Sequence, residues 1–316
     1  MPSKTTPGVG HFVADTAETP LAEIDSLDTS GKVHNTWTDA WDSVRRRPLF
    51  WISSVLIVVI VTIGLFPSLF SSVDPRFGCD LSDSNGGPTA GHPFGFTRQG
   101  CDIYSRVVHG AQASLLVGLL ATLLVTIVGI VIGALAGYYG GWLDAVVSRI
   151  GDIFFAIPTV LGAIVLMSVL PSRDPVTVAL VLALFAWPQV ARIMRGAVLS
   201  ARNADYVTAS VALGVSKFQI LLRHVVPNAI PPVIILATTS LGTFIVAEAT
   251  LSFLGIGLPP EIMSWGSDIG QARTTVQTAP FALFYPAAAL SLTVLSFLIM
   301  GDVVRDALDP KARARR

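Results

Sequence analysis

Charge is the scarcest ingredient of this chain. Only 13% of its 316 residues are Asp, Glu, Lys or Arg, while 52% are hydrophobic. With a mean hydropathy of +0.65, that balance excludes an ordinary soluble domain and points to a polytopic membrane protein. The formal net charge is zero, so global charge gives no case for a nucleic-acid partner. Cysteine is nearly absent: there are two and no CxxC, which excludes a cysteine-based zinc or iron–sulfur site. No GxxxxGKS or GxxxxGKT loop exists. Gly31-Lys32 lacks both the upstream glycine and the following hydroxyl residue, so ATP binding through that loop is excluded. Neither HExxH nor GxSxG occurs, leaving no case for a membrane hydrolase. No early apolar region with a cleavage site is found, so a removable signal peptide is not expected. No internal repeat of short period is seen.

What the chain does have is a series of apolar runs. Residues 1–36 are polar and are expected to form a disordered cytoplasmic tail. Trp37, Ala40, Trp41 and Val44 can form a short interfacial helix pinned at the headgroups by Arg45, Arg46 and Arg47. Six spans are then expected: 49–70, 114–138, 153–170 (extended by 145–152), 175–190 continuing through 193, 229–254 and 280–301. The fold class is therefore all-α, with six transmembrane helices. The chain divides into the tail 1–36, an interfacial, first-span and outer-loop unit 37–113, a five-helix core 114–301, and a cytoplasmic C-terminal tail 302–316.

With the N-terminus inside, Arg76, Arg98, Arg106, Arg173 and Arg273 fall outside. Every other Lys and Arg except Arg149, which lies near a boundary, falls inside. The positive-inside rule thus places both termini in the cytoplasm. Cys79 and Cys101 share the outer loop 71–113, where an oxidising face favours a disulfide; two unpaired thiols in a partly buried loop are the alternative. Among charges in the spans, Arg149 and Asp152 are spaced as a structural pair. Glu248, near the outer end of its span, is a candidate for gating or for the substrate pathway; the alternative is a hydrogen-bonded structural carboxyl.

The stretch 203–228 is polar to amphipathic and joins two apolar runs on the inside. Tyr206, Ala209, Ser210 and Leu213 recur at helical spacing after Asn203, a candidate N-cap. Gly214 breaks the pattern. Ser216 and Gln219 then form a capping-box signature ahead of Phe218, Leu221, Leu222 and Val225 on one face, and Pro227 closes this helix or opens the next segment. Two short helices with a glycine hinge are expected. The plain alternative is an amphipathic linker lying on the membrane, but small residues at Ala209 and Ser210 permit a partner's close approach.

This spacing resembles the EAA loop of ABC importer permeases, E-A-A-x3-G-x9-I-x-L-P. Here it reads Thr208-Ala209-Ser210, Gly214 and His224-Val225-Val226-Pro227, departing at the glutamate, second alanine, isoleucine and leucine. Three further stretches resemble the C-type permease subunit of dipeptide/oligopeptide importers: His92-Pro93-Phe94-Gly95 with Asp102, Ser105-Arg106 and Ser114-Leu115; Glu248 through Gly255 with Ser264-Trp265-Gly266; and Gly301-Asp302 with Arg305-Asp306-Ala307-Leu308-Asp309-Pro310. The likeness covers about residues 37–310.

The resemblance implies a type I importer permease fold in a bacterial inner membrane and no catalysis in this chain. It implies a homologous B-type permease, two ATP-binding subunits carrying ATP and Mg, and an extracytoplasmic peptide-binding protein. It also implies that Asp205, Tyr206, Ala209, Ser210, Gly214 and Pro227 belong to the ATPase-coupling loop. The cargo expected is a di- or oligopeptide, with nickel or glutathione as alternatives. A stand-alone secondary transporter and a membrane scaffold are the competing readings from other classes.

Overall fold

The computed structural model describes residues 41–77 and 79–308. The tail 1–36, Trp37, Ala40 and residues 309–316 lie outside the described set. Among the described residues there is no sheet, only two isolated bridges in the loop that holds the cysteines. The protein is an all-α, multi-pass membrane protein, with five helices long and apolar enough to cross a membrane, or six if a bent helix pair counts as one span. The end of the bundle bearing Cys79 and Cys101 is called outer below, and the opposite end inner.

Helix α1 (Pro48–Leu65) is shorter than the expected span 49–70. Phe66 sits at φ −131°, ψ 59° and Pro67 opens a separate single turn. A residue before proline is pushed out of the helical region, so the apolar run outlasts the helix. Helix α2 (Ile103–Tyr139) errs the other way: it is 37 residues long and starts well before Ser114. At 1.5 Å per residue it reaches about 55 Å, beyond a hydrocarbon layer of about 30 Å. Asp102 caps it by accepting from Ser105 N at 2.8 Å.

The expected third span is broken. α3 (Gly141–Ala156) and α4 (Thr159–Val169) meet at an 84° bend. Ile157 is extended (φ −98°, ψ 115°) and Pro158 has no N–H to continue the ladder. The expected pair Arg149–Asp152 lies on exposed α3 at 3.8 Å, and Asp152 also accepts from Arg192 at 3.1 Å. Helix α5 (Pro175–Ala201) runs through an internal Pro188 well past residue 193. Helix α7 (Pro231–Phe253) and α9 (Phe281–Leu308) complete the crossings.

The core forms where α2 and α5 touch backbone to backbone. A Cβ added at Gly133 would lie 2.4 Å from Ala191 O, and one at Gly137 2.9 Å from Arg195 O. Small residues one turn apart thus let these spans approach closely, the usual route to packing where lipid removes the hydrophobic drive. Val117, Val125, Val178, Leu182 and Met194 fill the adjoining layers and are buried. At the inner end, Val44 packs with Val303 and Leu308, and Arg47 pairs with Asp306 at 2.5 Å. The C-terminal signature therefore anchors the segment that precedes α1.

Candidate functional site

Two regions carry the residues singled out from sequence. The inner one joins α5 to α7. It begins with helix α6 (Asp205–Ala212), whose N-cap is Ala204 with no side-chain cap, not Asn203. Gly214 follows at φ +77°, a left-handed conformation that glycine adopts without a Cβ penalty. Ser216 then caps the next helix by accepting from Gln219 N at 3.4 Å. That helix (Lys217–Ile220) does not stop: it passes through a π turn (Leu221–Val225) into Val226–Ala229, with Pro227 in its first turn.

The expected single face of Phe218, Leu221, Leu222 and Val225 is divided. Ile220, Leu221 and Val225 are buried in the main core with Val207, whereas Phe218 and Leu222 point outward. A π turn follows between Leu221 and Val225. Asp205, Tyr206, Ala209, Gly214 and Pro227 are exposed and Ser210 is half-buried, its hydroxyl donating to Tyr206 O at 2.8 Å. The result is a ridge keyed into the bundle by four apolar side chains. Its free side shows Leu213, 83% exposed, and Phe218, 60% exposed. Apolar surface of that kind marks an interaction face, for a protein partner or for the membrane.

The outer region is built differently. Glu248 on α7 is wholly buried. It accepts from Ser114 Oγ of α2 at 3.1 Å and from Ser252 Oγ at 2.8 Å. Each serine in turn accepts a backbone N–H: Trp265 N at 3.2 Å and Leu258 N at 3.1 Å. One carboxyl thus ties α2, α7, the 254–264 turn and helix α8 (Trp265–Ala272) together. The close fit depends on glycine, since a Cβ at Gly266 would stand 2.4 Å from Ala249 Cα. Trp265 also donates its indole N–H to Val107 O at 2.9 Å. Arg106 pairs with Asp268, and burial pushes the Asp268 carboxyl up while Arg106 pulls it down.

Glu248 is therefore surrounded by its own subunit and does not face an open recess. Sequence reasoning did not foresee the partners Ser114, Ser252 and Asp268. The only available signal was a set of hydroxyls and one acid set inside otherwise apolar runs. Above this knot, Cys79 and Cys101 are bonded to each other with their Cα atoms 4.2 Å apart.

Residues 129–314 match the family described as binding-protein-dependent transport system inner membrane component. Residues 35–88 match the N-terminal TM domain of oligopeptide transport permease C. The chain belongs to the binding-protein-dependent transport inner-membrane family. It is 36% identical over 282 residues to the glutathione transport system permease protein GsiD of Escherichia coli O157:H7, covering 89% of this chain and 93% of that protein. The GsiD proteins of Shigella boydii serotype 4 and Shigella sonnei match with the same identity and coverage. The chain is thus a non-catalytic permease of the ABC peptide-importer superfamily. Among the described residues no cluster is suited to a metal, and in importers of this type ATP and Mg belong to the ATPase subunits.

Proposed function

We propose that this chain forms half of the translocation pathway of an ATP-driven importer in a bacterial inner membrane, with both termini cytoplasmic. Its cargo is a small peptide of the glutathione class. This revises the expectation of a di- or oligopeptide, because the relatives above are named for glutathione transport. A homologous B-type permease completes the pathway, two ATPase subunits dock inside, and an extracytoplasmic binding protein delivers cargo.

The observation that carries this reading is the two-sided loop. Val207, Ile220, Leu221 and Val225 lock it to the bundle, while Tyr206, Leu213 and Phe218 stand free. A push on the free side therefore moves α5 and α7 as bodies instead of being absorbed by the loop. Closure of the ATPase dimer becomes rocking of the spans, alternately opening the pathway to either side. Ala209 and Gly214 act as contact and hinge, with Asp205 and Tyr206 beside them. The exposed row Leu161, Val165 and Val169 on α4 is suited to the second permease.

The test is reconstitution of the tagged chain with its neighbouring gene products in proteoliposomes. ATP-dependent uptake of labelled glutathione, competed by glutathione more strongly than by dipeptides, is expected. Preference for dipeptides would restore the broader cargo. Uptake by this chain alone on a proton or sodium gradient would make it a secondary transporter.

A further inference from the structure

At the outer end a recess of about 470 Å³ opens between the segment after α1, the first turns of α2 and the turn before α8. That volume lies within the roughly 300–1,000 Å³ of small-molecule sites. Its walls come from four elements, the fourth being Pro175 at the start of α5. Asp74, Arg76 and Ser72 come from the first, His109 and Gln112 from α2, and Met263 from the turn. The first segment is held in place by Ser105, whose hydroxyl donates to Val73 O at 2.5 Å. One oxygen of Asp74 accepts Arg76 N at 2.9 Å, leaving the other free. Among the described residues no ion pair engages Asp74 or the Arg76 guanidinium. His109 is fixed through Nδ1, 2.9 Å from Ser105 O, so its orientation is set by the helix.

An acid, a guanidinium and an amide on the walls of one largely apolar recess match the groups of a small peptide: ammonium, carboxylate and amide bond. We propose that this recess is a cargo subsite at the mouth of the pathway. Arg76 takes a peptide carboxylate, Asp74 takes the ammonium, and Gln112 takes an amide group between them. Guanidinium–carboxylate pairing is among the stronger charge-assisted contacts, and Asp74 and Arg76 are both exposed to an arriving peptide. This inference rests on the importer reading above, and the experiment separates the two.

The complete importer, with its binding protein, is assayed in proteoliposomes with labelled glutathione and with a dipeptide in free-acid and C-terminal amide forms. If the wild type imports no peptide, the importer reading fails and the subsite with it. If it does, Arg76→Gln is expected to lower free-acid uptake about tenfold while leaving amide uptake unchanged. Asp74→Asn should give the mirror result with N-acetylated peptides. Gln112→Trp, which fills the recess, should stop uptake while basal ATP hydrolysis and co-purification of the subunits persist. Unchanged uptake in all three variants would overturn the subsite. So would an equal loss for free and blocked peptides, which would mark the recess as a docking point for the binding protein.

Discussion

The two ends of the bundle solve opposite problems with the same few polar and small residues. At the outer knot, polar groups are buried and satisfy one another: Glu248, Ser114, Ser252 and two backbone N–H groups form one chain of hydrogen bonds. At the inner ridge, apolar groups are left uncovered: Leu213, Phe218 and Leu222 project beside a glycine at φ +77°. A satisfied network resists change because each lost partner leaves a buried polar group unpaired. An uncovered ridge on a buried base is incomplete until something docks. The difference fits the proposed division, stability at one end and transmission at the other.

That contrast can be broken by mutation. The largest effect is expected from Gly266→Val, whose side chain would meet the backbone of Ala249. Little folded protein should be recovered on size-exclusion chromatography. Glu248→Ala should come next, destabilising by about 3 kcal/mol as two serines lose their acceptor, read as a lower Tm in detergent. Glu248→Gln, which keeps an acceptor, should restore part of it. Replacing Cys79 and Cys101 by serine should cost up to about 3 kcal/mol in the chain-entropy account. That loss should show as faster hydrogen exchange in the outer loop with the inner loop unaffected.

Inner-ridge changes should invert the pattern. Leu213→Asp should leave Tm unchanged yet abolish ATPase co-purification, since the side chain is exposed in the isolated subunit. Gly214→Ala should cost only about 1 kcal/mol, the penalty of a Cβ at positive φ, since nothing lies within 4 Å. Uptake should fall further than Tm does. An outer-knot variant that loses ATPase binding with no change in Tm would dissolve the division.

Sequence made the spans legible wherever apolar residues ran without interruption, as in α7 and α9. It failed where polar residues were satisfied by protein rather than water. Ser105, Arg106, His109 and Gln112 make the start of α2 look like loop, yet Asp102 caps it and Asp268 pairs Arg106. It failed also where backbone chemistry overrode hydropathy, at Pro67 and at Pro158, where the apolar run continues but the helix does not. For the loop, composition located the first short helix, the break at Gly214 and the start of the second helix, but not its continuation to Ala229. The π turn from Leu221 to Val225 is a local widening that no periodicity of 3.6 contains. The serines around Glu248 were unreadable as partners because they lie far apart in the chain and meet only through packing.

The most direct test of the central claim is ATP-driven uptake by the reconstituted importer carrying Ala209→Trp. Ala209 is exposed on α6 and is not one of the core side chains. The account predicts normal assembly of the permease pair, an unchanged Tm and no ATP-coupled uptake. Wild-type uptake in that variant would contradict it, because a bulky ring would then stand unopposed where the ATPase is held to press.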